Sequence, residues 1–376
     1  MRPYPKLIEH LWRDLKIADR HDNFFQSGLV CRDYNKDTFH FSYSSPITIY
    51  SQPPQTPHPA DTPILSRCCR NEGENSWATR YSFCGGVYQS PLDFHGSILQ
   101  YDSNLKPIQL YGYNASSNDP FIISNNGHTV SVSLPPNMYI DIPPFRYIAA
   151  QLHFHWGSLA SHGGSEHCIG GKKFAAEMHI VHYNSKYADV GTAMEVSDGL
   201  AVLGILIEIG SFNSAYDNII SQLTQIKYKG QSFQIPGFNI RSLVPESLDE
   251  YYRYEGSLTT PPCNPSVLWY VFRNPIFISE EQLLLFETAL YCTERNSSSP
   301  VEMIDNYRRL QQEGDRLVSV SFREGIVLAI TLACLLGSLI IIGVTCWLFR
   351  WKKQAKNVKK VVYTPAVPML ETTSNV

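Results

Sequence analysis

Two segments near the middle of the chain alternate between polar and apolar residues. The first surrounds His153 and His155, which are interleaved with leucine, phenylalanine and tryptophan. Successive side chains of a β-strand point to opposite faces, so this pattern predicts a strand with both imidazoles on one face. The second surrounds Glu177 and His179 and predicts another strand, with these two side chains on a common face.

These two strands together predict a metal site. If they pair, the imidazoles of His153, His155 and His179 converge on one point. Three neutral imidazoles bind zinc and leave a fourth tetrahedral position for water, an arrangement typical of catalytic rather than structural sites. Gln151 and Glu177 share faces with these histidines, so we expect them to accept from the ring N–H groups. The alternative is a polar strand face or a hydrogen-bonded core pair.

A continuous apolar run predicts one transmembrane helix. Residues 325–349 contain no charged residue, and about 20 apolar residues suffice to cross a bilayer as a helix. Residues 316–324 would form the juxtamembrane linker before it and residues 350–376 the tail after it. The first eleven residues of the tail contain six lysines and arginines. The positive-inside rule therefore predicts a cytoplasmic tail and an extracellular main domain.

Composition agrees with one large β domain at residues 71–315. Short runs of valine, isoleucine, tyrosine and phenylalanine alternate with turn residues, and the chain has 24 prolines and 23 glycines. This pattern predicts a turn-rich β protein. The formal net charge is only −3, which gives no basic footprint for nucleic acid.

Residues 1–70 differ from the rest of the chain. Charged residues interrupt their first twenty positions, so no apolar core of a signal peptide is seen. A later stretch is rich in proline, serine, threonine and glutamine, which is typical of flexible chain. We interpret residues 1–70 as an atypical N-terminal segment that is either flexible or the product of an alternative start.

Several motifs resemble those of the α-class carbonic anhydrases, membrane-anchored branch, over roughly residues 73–312. They are Gln89-Ser-Pro91, Asn125-Asn-Gly-His128, residues 151–157, Ser165-Glu166-His167 followed by Phe174 and Glu177-Met-His179, and Gly256-Ser-Leu-Thr-Thr-Pro-Pro262. The resemblance implies a mainly β fold with short helices, a large, twisted, mostly antiparallel central sheet and Zn²⁺ as cofactor. It also implies reversible hydration of carbon dioxide to bicarbonate and a proton, serving pH regulation at the extracellular face of the plasma membrane.

The resemblance further implies roles for individual residues. His128 would be the proton shuttle, because a histidine both takes and gives protons near neutral pH. The hairpin signal Asn126-Gly127 places it at the start of a strand, where an ordinary exposed histidine is the alternative. Glu166 would accept from the hydroxyl of Thr259, which orients the attacking hydroxide.

The same resemblance implies a substrate pocket. Thr260 would lie at its mouth, and the apolar wall that holds carbon dioxide would be Val181, Val202, Leu258, Val267 and Trp269. Core packing explains these apolar residues equally well from the sequence. The Trp-x-Tyr segment that the family has upstream of Trp77 is absent, so a tyrosine that orders water in the pocket is missing.

The cysteines indicate a cellular compartment. Cys84 and Cys263 match positions that form a disulfide in extracellular members of the family, and disulfides persist in oxidising compartments. Cys168 and Cys292 are expected to be buried free thiols.

The remaining expectations concern modification and partners. Asn114 and Asn296 begin glycosylation sequons. Ala329, Ala333 and Gly337 recur every four residues, which favours a homodimer through the transmembrane helix, with the ectodomain contributing; chance also produces this spacing. An alternative function is an acatalytic adhesion or binding module. Such relatives lose a zinc histidine, whereas all three are present here.

Overall fold

The strand predicted around His153 and His155 is the C-terminal part of a longer strand, Phe145–Trp156, inside a large sheet. This computed structural model describes residues 71–161, 163–323, 325–358, 364 and 366. The expectations for residues 1–70 therefore lie outside the described residues, as does most of the predicted cytoplasmic tail.

The described residues contain sixteen strands, which divide between a small and a large sheet. In chain order they are β1 (Asp93–Phe94), β2 (Leu99–Tyr101), β3 (Leu110–Tyr111), β4 (Phe121–Asn125), β5 (Val130–Ser133), β6 (Tyr139–Ile142), β7 (Phe145–Trp156), β8 (Cys168–Ile169), β9 (Lys172–Lys173), β10 (Ala176–Asn184), β11 (Leu200–Ile209), β12 (Ser232–Ile235), β13 (Tyr251–Gly256), β14 (Val267–Phe272), β15 (Ile276–Ile278) and β16 (Val318–Val320). Strands β1, β8 and β9 form the small sheet.

The large sheet is mostly antiparallel, as predicted. Its main path runs β12-β4-β5-β7-β10-β11-β14-β13-β16-β2, and β3, β6 and β15 attach beside it. Strand β11 is parallel to β14 and β15, and β16 is parallel to β2, so the sheet is mixed. The predicted fold class, mainly β with short helices, is confirmed.

Hydrophobic clusters cover both faces of this sheet. On one face Phe154, Trp156 and Met178 pack with Tyr216 and Phe286. A second cluster, which contains buried residues of β10, β11, β13 and β14, covers the other face. Eight of the nine residues of β10 are buried as a result. Polar side chains on this strand must therefore find their hydrogen-bond partners within the protein.

Helices are short except at the C-terminus. They are α1 (Trp77–Arg80), α2 (Val190–Ala193), α3 (Ser214–Ile220), α4 (Glu280–Thr288) and α5 (Ile326–Val358), with 3₁₀ turns at Asn71–Ser76, Ser82–Gly85, Leu223–Ile226 and Ile240–Leu243. A capping box formed by Ser279 and Gln282 begins α4. It satisfies backbone N–H groups that have no partner within the helix.

The long helix α5 corresponds to the predicted transmembrane helix. Its stretch Ile330–Gln354 is long and apolar enough to cross a membrane, and none of that stretch is buried against the protein. The helix extends to Val358, nine residues beyond the predicted end at Phe349. Lysine and arginine are good helix formers, and no glycine or proline interrupts residues 350–358, so the helix continues past the apolar run.

The predicted disulfide between Cys84 and Cys263 is present and joins positions 179 residues apart. Cys168 is a buried free thiol, as expected. Cys292 is disulfide-bonded, so the expectation of a free thiol there is wrong. The isolated position of Cys292 in the sequence gave no sign of this bond.

Candidate metal centre

The pairing of β7 with β10 brings the three predicted ligands together. In their antiparallel register His153 lies opposite His179, and His155 lies opposite Glu177. One nitrogen from each of the three histidines lies within 4.8 Å of the others. Two local alternations and one strand pairing therefore build the cluster.

The other nitrogen of each ring meets an oxygen acceptor. His153 Nδ1 lies 3.1 Å from Gln151 Oε1, and His179 Nε2 lies 2.8 Å from Glu177 Oε1. His155 Nδ1 lies 2.8 Å from the backbone carbonyl of Asn306. Each ring N–H donates outward to its acceptor, which leaves a lone pair on the inward nitrogen.

The inward nitrogens fit a cation. His153 Nε2 and His179 Nδ1 lie 3.3 Å apart, and two lone pairs facing each other at that distance repel. His155 Nε2 is buried and has no hydrogen-bond partner among the described residues. Burial, together with repulsion from neighbouring imidazoles, holds the pKa of His153 well below its usual range, and burial also lowers the pKa of His155. Three neutral nitrogen donors around one point are the donor set of a zinc site.

Glu177 holds this cluster from behind. Its Oε2 accepts from the backbone N–H groups of Glu166 and His167, both at 2.8 Å. Its Oε1 accepts from His167 Nδ1 at 2.7 Å as well as from His179. Burial would raise the pKa of this carboxylate, but the two imidazoles hold it well below its usual range. A Cβ at Gly204 would come within 3.2 Å of Glu177 Oε1, so glycine leaves room for the carboxylate.

The network continues to Tyr254, which the sequence analysis did not single out. His167 Nε2 lies 2.7 Å from the Tyr254 hydroxyl, which lies 2.8 Å from Ser90 Oγ. His167, Glu177 and His179 also lie close enough together to hold a metal. Their nearest atoms are already joined by the hydrogen bonds described above, so these three residues act as support for the first cluster.

The structure shows no hydrogen bond between Thr259 and Glu166, and the role expected of this pair stays a prediction. Glu166 Oε1 accepts from the backbone N–H of Arg308 at 2.7 Å. Its buried Oε2 has no hydrogen-bond partner within the described part of the chain. It lies 3.5 Å from His155 Nε2 and 3.9 Å from His179 Nδ1 instead. The inward nitrogens of these neutral rings carry lone pairs, so a buried negative oxygen facing them is an arrangement that a cation would stabilise.

A cavity of about 490 Å³ opens from this cluster. Its lining includes seven of the predicted site residues: His128, Gln151, His153, His155, Glu166, Thr259 and Thr260. Trp77, Arg80 and Tyr81 line it as well. The segment around α1 therefore contributes part of the wall in a chain that lacks the Trp-x-Tyr segment.

The five apolar residues expected to hold carbon dioxide are not among those that line this cavity in the described structure. All five nevertheless lie in or against the second hydrophobic cluster. Its buried members include Val181, Val202, Val267 and Trp269, and Leu258 packs against it. The ring of Trp269 lies 4.8 Å from that of His179. This cluster therefore adjoins the metal ligands, and its role as a substrate wall stays a prediction.

His128 lies in the turn between β4 and β5, two residues before the strand start where it was expected. Gly127 has a φ of +88°, which the Asn-Gly signal predicts. Asn126 Oδ1 accepts from the backbone N–H groups of His128 and Thr129 at 2.8 and 2.9 Å. The His128 ring is half-buried, and burial and nearby Lys229 lower its pKa.

Arg308, which the sequence analysis missed, connects the disulfide to the site. Its guanidinium donates to the carbonyl of Cys84 at 3.0 Å and to Gln89 Oε1 at 2.8 Å. Gln89 Nε2 in turn donates to the carbonyl of Cys263 at 3.2 Å. Since the backbone of Arg308 also bonds Glu166, one buried residue connects Cys84 directly, and Cys263 through Gln89, to the carboxylate.

Comparison with known proteins agrees with the resemblance. Residues 72–322 match the family described as eukaryotic-type carbonic anhydrase. The chain is 53% identical to human carbonic anhydrase 12 over 311 residues, which is 79% of this chain and 88% of that protein. It is 41% identical to dog carbonic anhydrase 6 over 250 residues, which is 65% of this chain and 76% of that protein. It is 39% identical to human carbonic anhydrase 6 over 253 residues, which is 66% of this chain and 80% of that protein.

Proposed function

Because the chain belongs to the eukaryotic-type carbonic anhydrase family, we propose that His153, His155 and His179 hold the zinc ion on which its activity depends. That activity is the reversible hydration of carbon dioxide to bicarbonate and a proton. The observation that carries the zinc assignment is the set of three inward nitrogens, each on a ring whose other nitrogen bonds an oxygen. Zn²⁺ supplies a Lewis acid that lowers the pKa of bound water to about 7, a value known for carbonic anhydrases as a class rather than for this chain.

His128 is the residue proposed to move the proton to solvent. It lines the same cavity as His153 and His155, and its ring is half-buried. Burial and Lys229 lower its pKa, so the ring is mostly neutral near pH 7. A neutral imidazole accepts a proton from the site and, with a low pKa, passes it readily to buffer.

Thr259 and Glu166 are proposed to orient the attacking hydroxide. Both line the cavity, and Thr259 is only 5% exposed. Glu166 Oε2 is a buried acceptor without a hydrogen-bond partner among the described residues, which is the group that a threonine hydroxyl would satisfy. Thr260, which is exposed, is proposed to contact substrate at the cavity mouth.

The location proposed is the plasma membrane, with the catalytic domain outside and the tail in the cytoplasm. The apolar helix and the similarity to carbonic anhydrase 12 suggest a single-pass membrane protein. The disulfide between Cys84 and Cys263 supports an oxidising compartment for the domain. The basic residues that follow the span support a cytoplasmic tail.

Glycosylation and dimerisation are proposed from the exposure of the sequons and from the spacing of small residues on α5. Asn114 and Asn296 are both exposed, as sequon asparagines must be. The small residues Ala329, Ala333 and Gly337 recur every four positions on α5, a spacing that supports a homodimer.

The test is metal content measured together with activity on the purified full chain in detergent. We expect about one zinc per chain, carbon dioxide hydration that disappears on chelation, and recovery when Zn²⁺ is added back. His179→Ala should lose both zinc and activity, whereas His95→Ala, at the surface, should keep both. Full activity in metal-free protein would refute the proposal.

A further inference from the structure

Asn306 joins the metal-ligand strand through its backbone. Its carbonyl accepts from His155 Nδ1 at 2.8 Å, and its N–H donates to the carbonyl of Trp156 at 3.2 Å. This residue lies 151 positions after His155 in the chain. The contact with the ligand therefore depends on main-chain atoms that any residue would supply.

The side chain of Asn306 makes a separate set of hydrogen bonds. Its Oδ1 accepts from the backbone N–H of Trp156 at 2.7 Å. Its Nδ2 donates to the carbonyl of Phe154 at 3.2 Å and to the carbonyl of His128 at 3.0 Å. Both N–H bonds of the amide and its oxygen are thus used. One side chain bridges the strand that carries two metal ligands and the turn that carries His128.

Several hydrogen bonds also hold the turn on either side of the His128 carbonyl. On its N-terminal side the Asn126 carboxamide accepts from the His128 N–H. On its C-terminal side the Thr129 hydroxyl bonds the carbonyl of Phe154. Among the described residues, the Asn306 amide is the hydrogen-bond donor to the His128 carbonyl. It therefore fixes the peptide from which the imidazole projects.

We propose that Asn306 is a positioning residue for proton transfer, with its carboxamide setting the place of His128 relative to the metal ligands. This inference rests on the proposed role of His128. A proton relay depends steeply on the distance and angle of its acceptor. A side chain that bonds both the metal-ligand strand and the turn that carries His128 fixes that geometry more directly than the packing of the strand or the turn alone.

Asn306→Asp separates positioning from metal binding. The substitution keeps an oxygen to accept from Trp156, but it places a second carboxylate oxygen against the carbonyls of His128 and Phe154. Repulsion should displace the turn. The bond to His155 uses the backbone carbonyl and should persist, so zinc content should stay at one per chain.

The experiment measures turnover of the full chain in weak buffer and in concentrated imidazole-type buffer, which carries protons without His128. We expect turnover of Asn306→Asp to be at least roughly threefold slower than that of the wild type in weak buffer and to recover in strong buffer. The loss should stay below the roughly 10²–10⁴-fold that general acid–base groups contribute, because His128 itself is still present. Added to His128→Ala, it should cause no further loss in weak buffer. Asn306→Ser removes the amide without adding charge and should show a smaller effect of the same kind.

Asn184→Asp is the matched control. Asn184 is a buried asparagine at the far end of β10 whose Nδ2 donates to the carbonyl of Asp198 at 3.1 Å. Its substitution should leave unchanged the ratio of turnover in weak buffer to turnover in concentrated imidazole-type buffer. The inference is wrong if both Asn306 variants match the wild type in weak buffer, or if they are slow equally in both buffers. Normal turnover of His128→Ala in weak buffer would instead refute the proposed shuttle.

Discussion

At the residue scale, hydrogen bonds select which nitrogen each histidine presents. Glu177 lies two residues before His179 on the same strand and bonds its Nε2, so His179 presents Nδ1. Gln151 lies two residues before His153 but bonds its Nδ1, so that ring presents Nε2. The same local spacing thus gives opposite tautomers, because the two rings are turned differently.

Glu177→Gln tests the support behind the ligands. A carboxamide keeps the shape of the carboxylate, but its NH2 group replaces an oxygen that accepts from two of the four donors that Glu177 now satisfies. We expect zinc affinity to fall about 10- to 100-fold, the usual cost of losing a partner of a metal ligand. Competition with a chelator measures this. Glu208→Gln, which removes the exposed partner of Lys172, is the control, and equal affinities in the two variants would contradict the prediction.

His182 predicts a pH dependence of stability away from the metal site. It is fully buried, it bonds the Tyr113 hydroxyl, and burial lowers its pKa to about 4. The unfolded chain, with a pKa near 6.5, binds the proton that the folded chain refuses. Stability therefore rises with pH from about 4 to 6.5 and is level above that range.

The expected loss of unfolding free energy on going from pH 6.5 to 4 is about 3 kcal/mol for this group. Denaturant unfolding of the wild type and of His182→Gln across this range measures it. The unfolding free energy of His182→Gln should change with pH by about 3 kcal/mol less than that of the wild type. Identical slopes would show that His182 is not the titrating group.

At the element scale, local patterns could be predicted and distant partners could not. The alternation around His153 fixes which face its side chain occupies, because neighbouring residues alone determine it. The partner of His155, by contrast, is a backbone carbonyl 151 residues away, and any residue type could supply it. Arg308 was missed for the same reason, since its role appears only when the chain ends of the domain meet. The direction of the Glu166 carboxylate likewise depends on ring positions that sequence does not contain.

The disulfide offers a test at this scale. Cys84 and Cys263 close a loop of 179 positions and hold the segment that carries Thr259 and Thr260. The double variant Cys84→Ser/Cys263→Ser should lose up to about 4–5 kcal/mol of unfolding free energy by the chain-entropy model. Denaturant titration measures the loss, and Cys168→Ser, at a free thiol, should change stability less. A double variant as stable as the wild type would contradict this prediction.

At the scale of the whole molecule, one sheet gathers ligands and supports from most of the catalytic domain. Its strand β16, which lies between β13 and β2, ends at Val320, and α5 begins six residues later at Ile326. The domain and its proposed anchor are thus joined by a short segment. Since the residues of the site all precede that segment, catalysis and anchoring are separable in the chain.

Removal of residues 325–376 tests that separation. We expect the remaining chain to partition into the aqueous phase with zinc and turnover unchanged, because every residue assigned to the site is retained. Detergent phase separation followed by an activity assay measures both. A truncated chain that stays with membranes would show that α5 is not the anchor, and one that loses zinc would show that the domain depends on it.

The central claim is that three imidazole nitrogens hold one zinc ion. X-ray absorption spectroscopy at the zinc edge on the purified full chain tests it most directly. The account predicts three imidazole nitrogens at about 2.0–2.1 Å together with one further light-atom ligand. Sulfur at about 2.3 Å, four imidazoles, or a signal that persists unchanged in His179→Ala would contradict it.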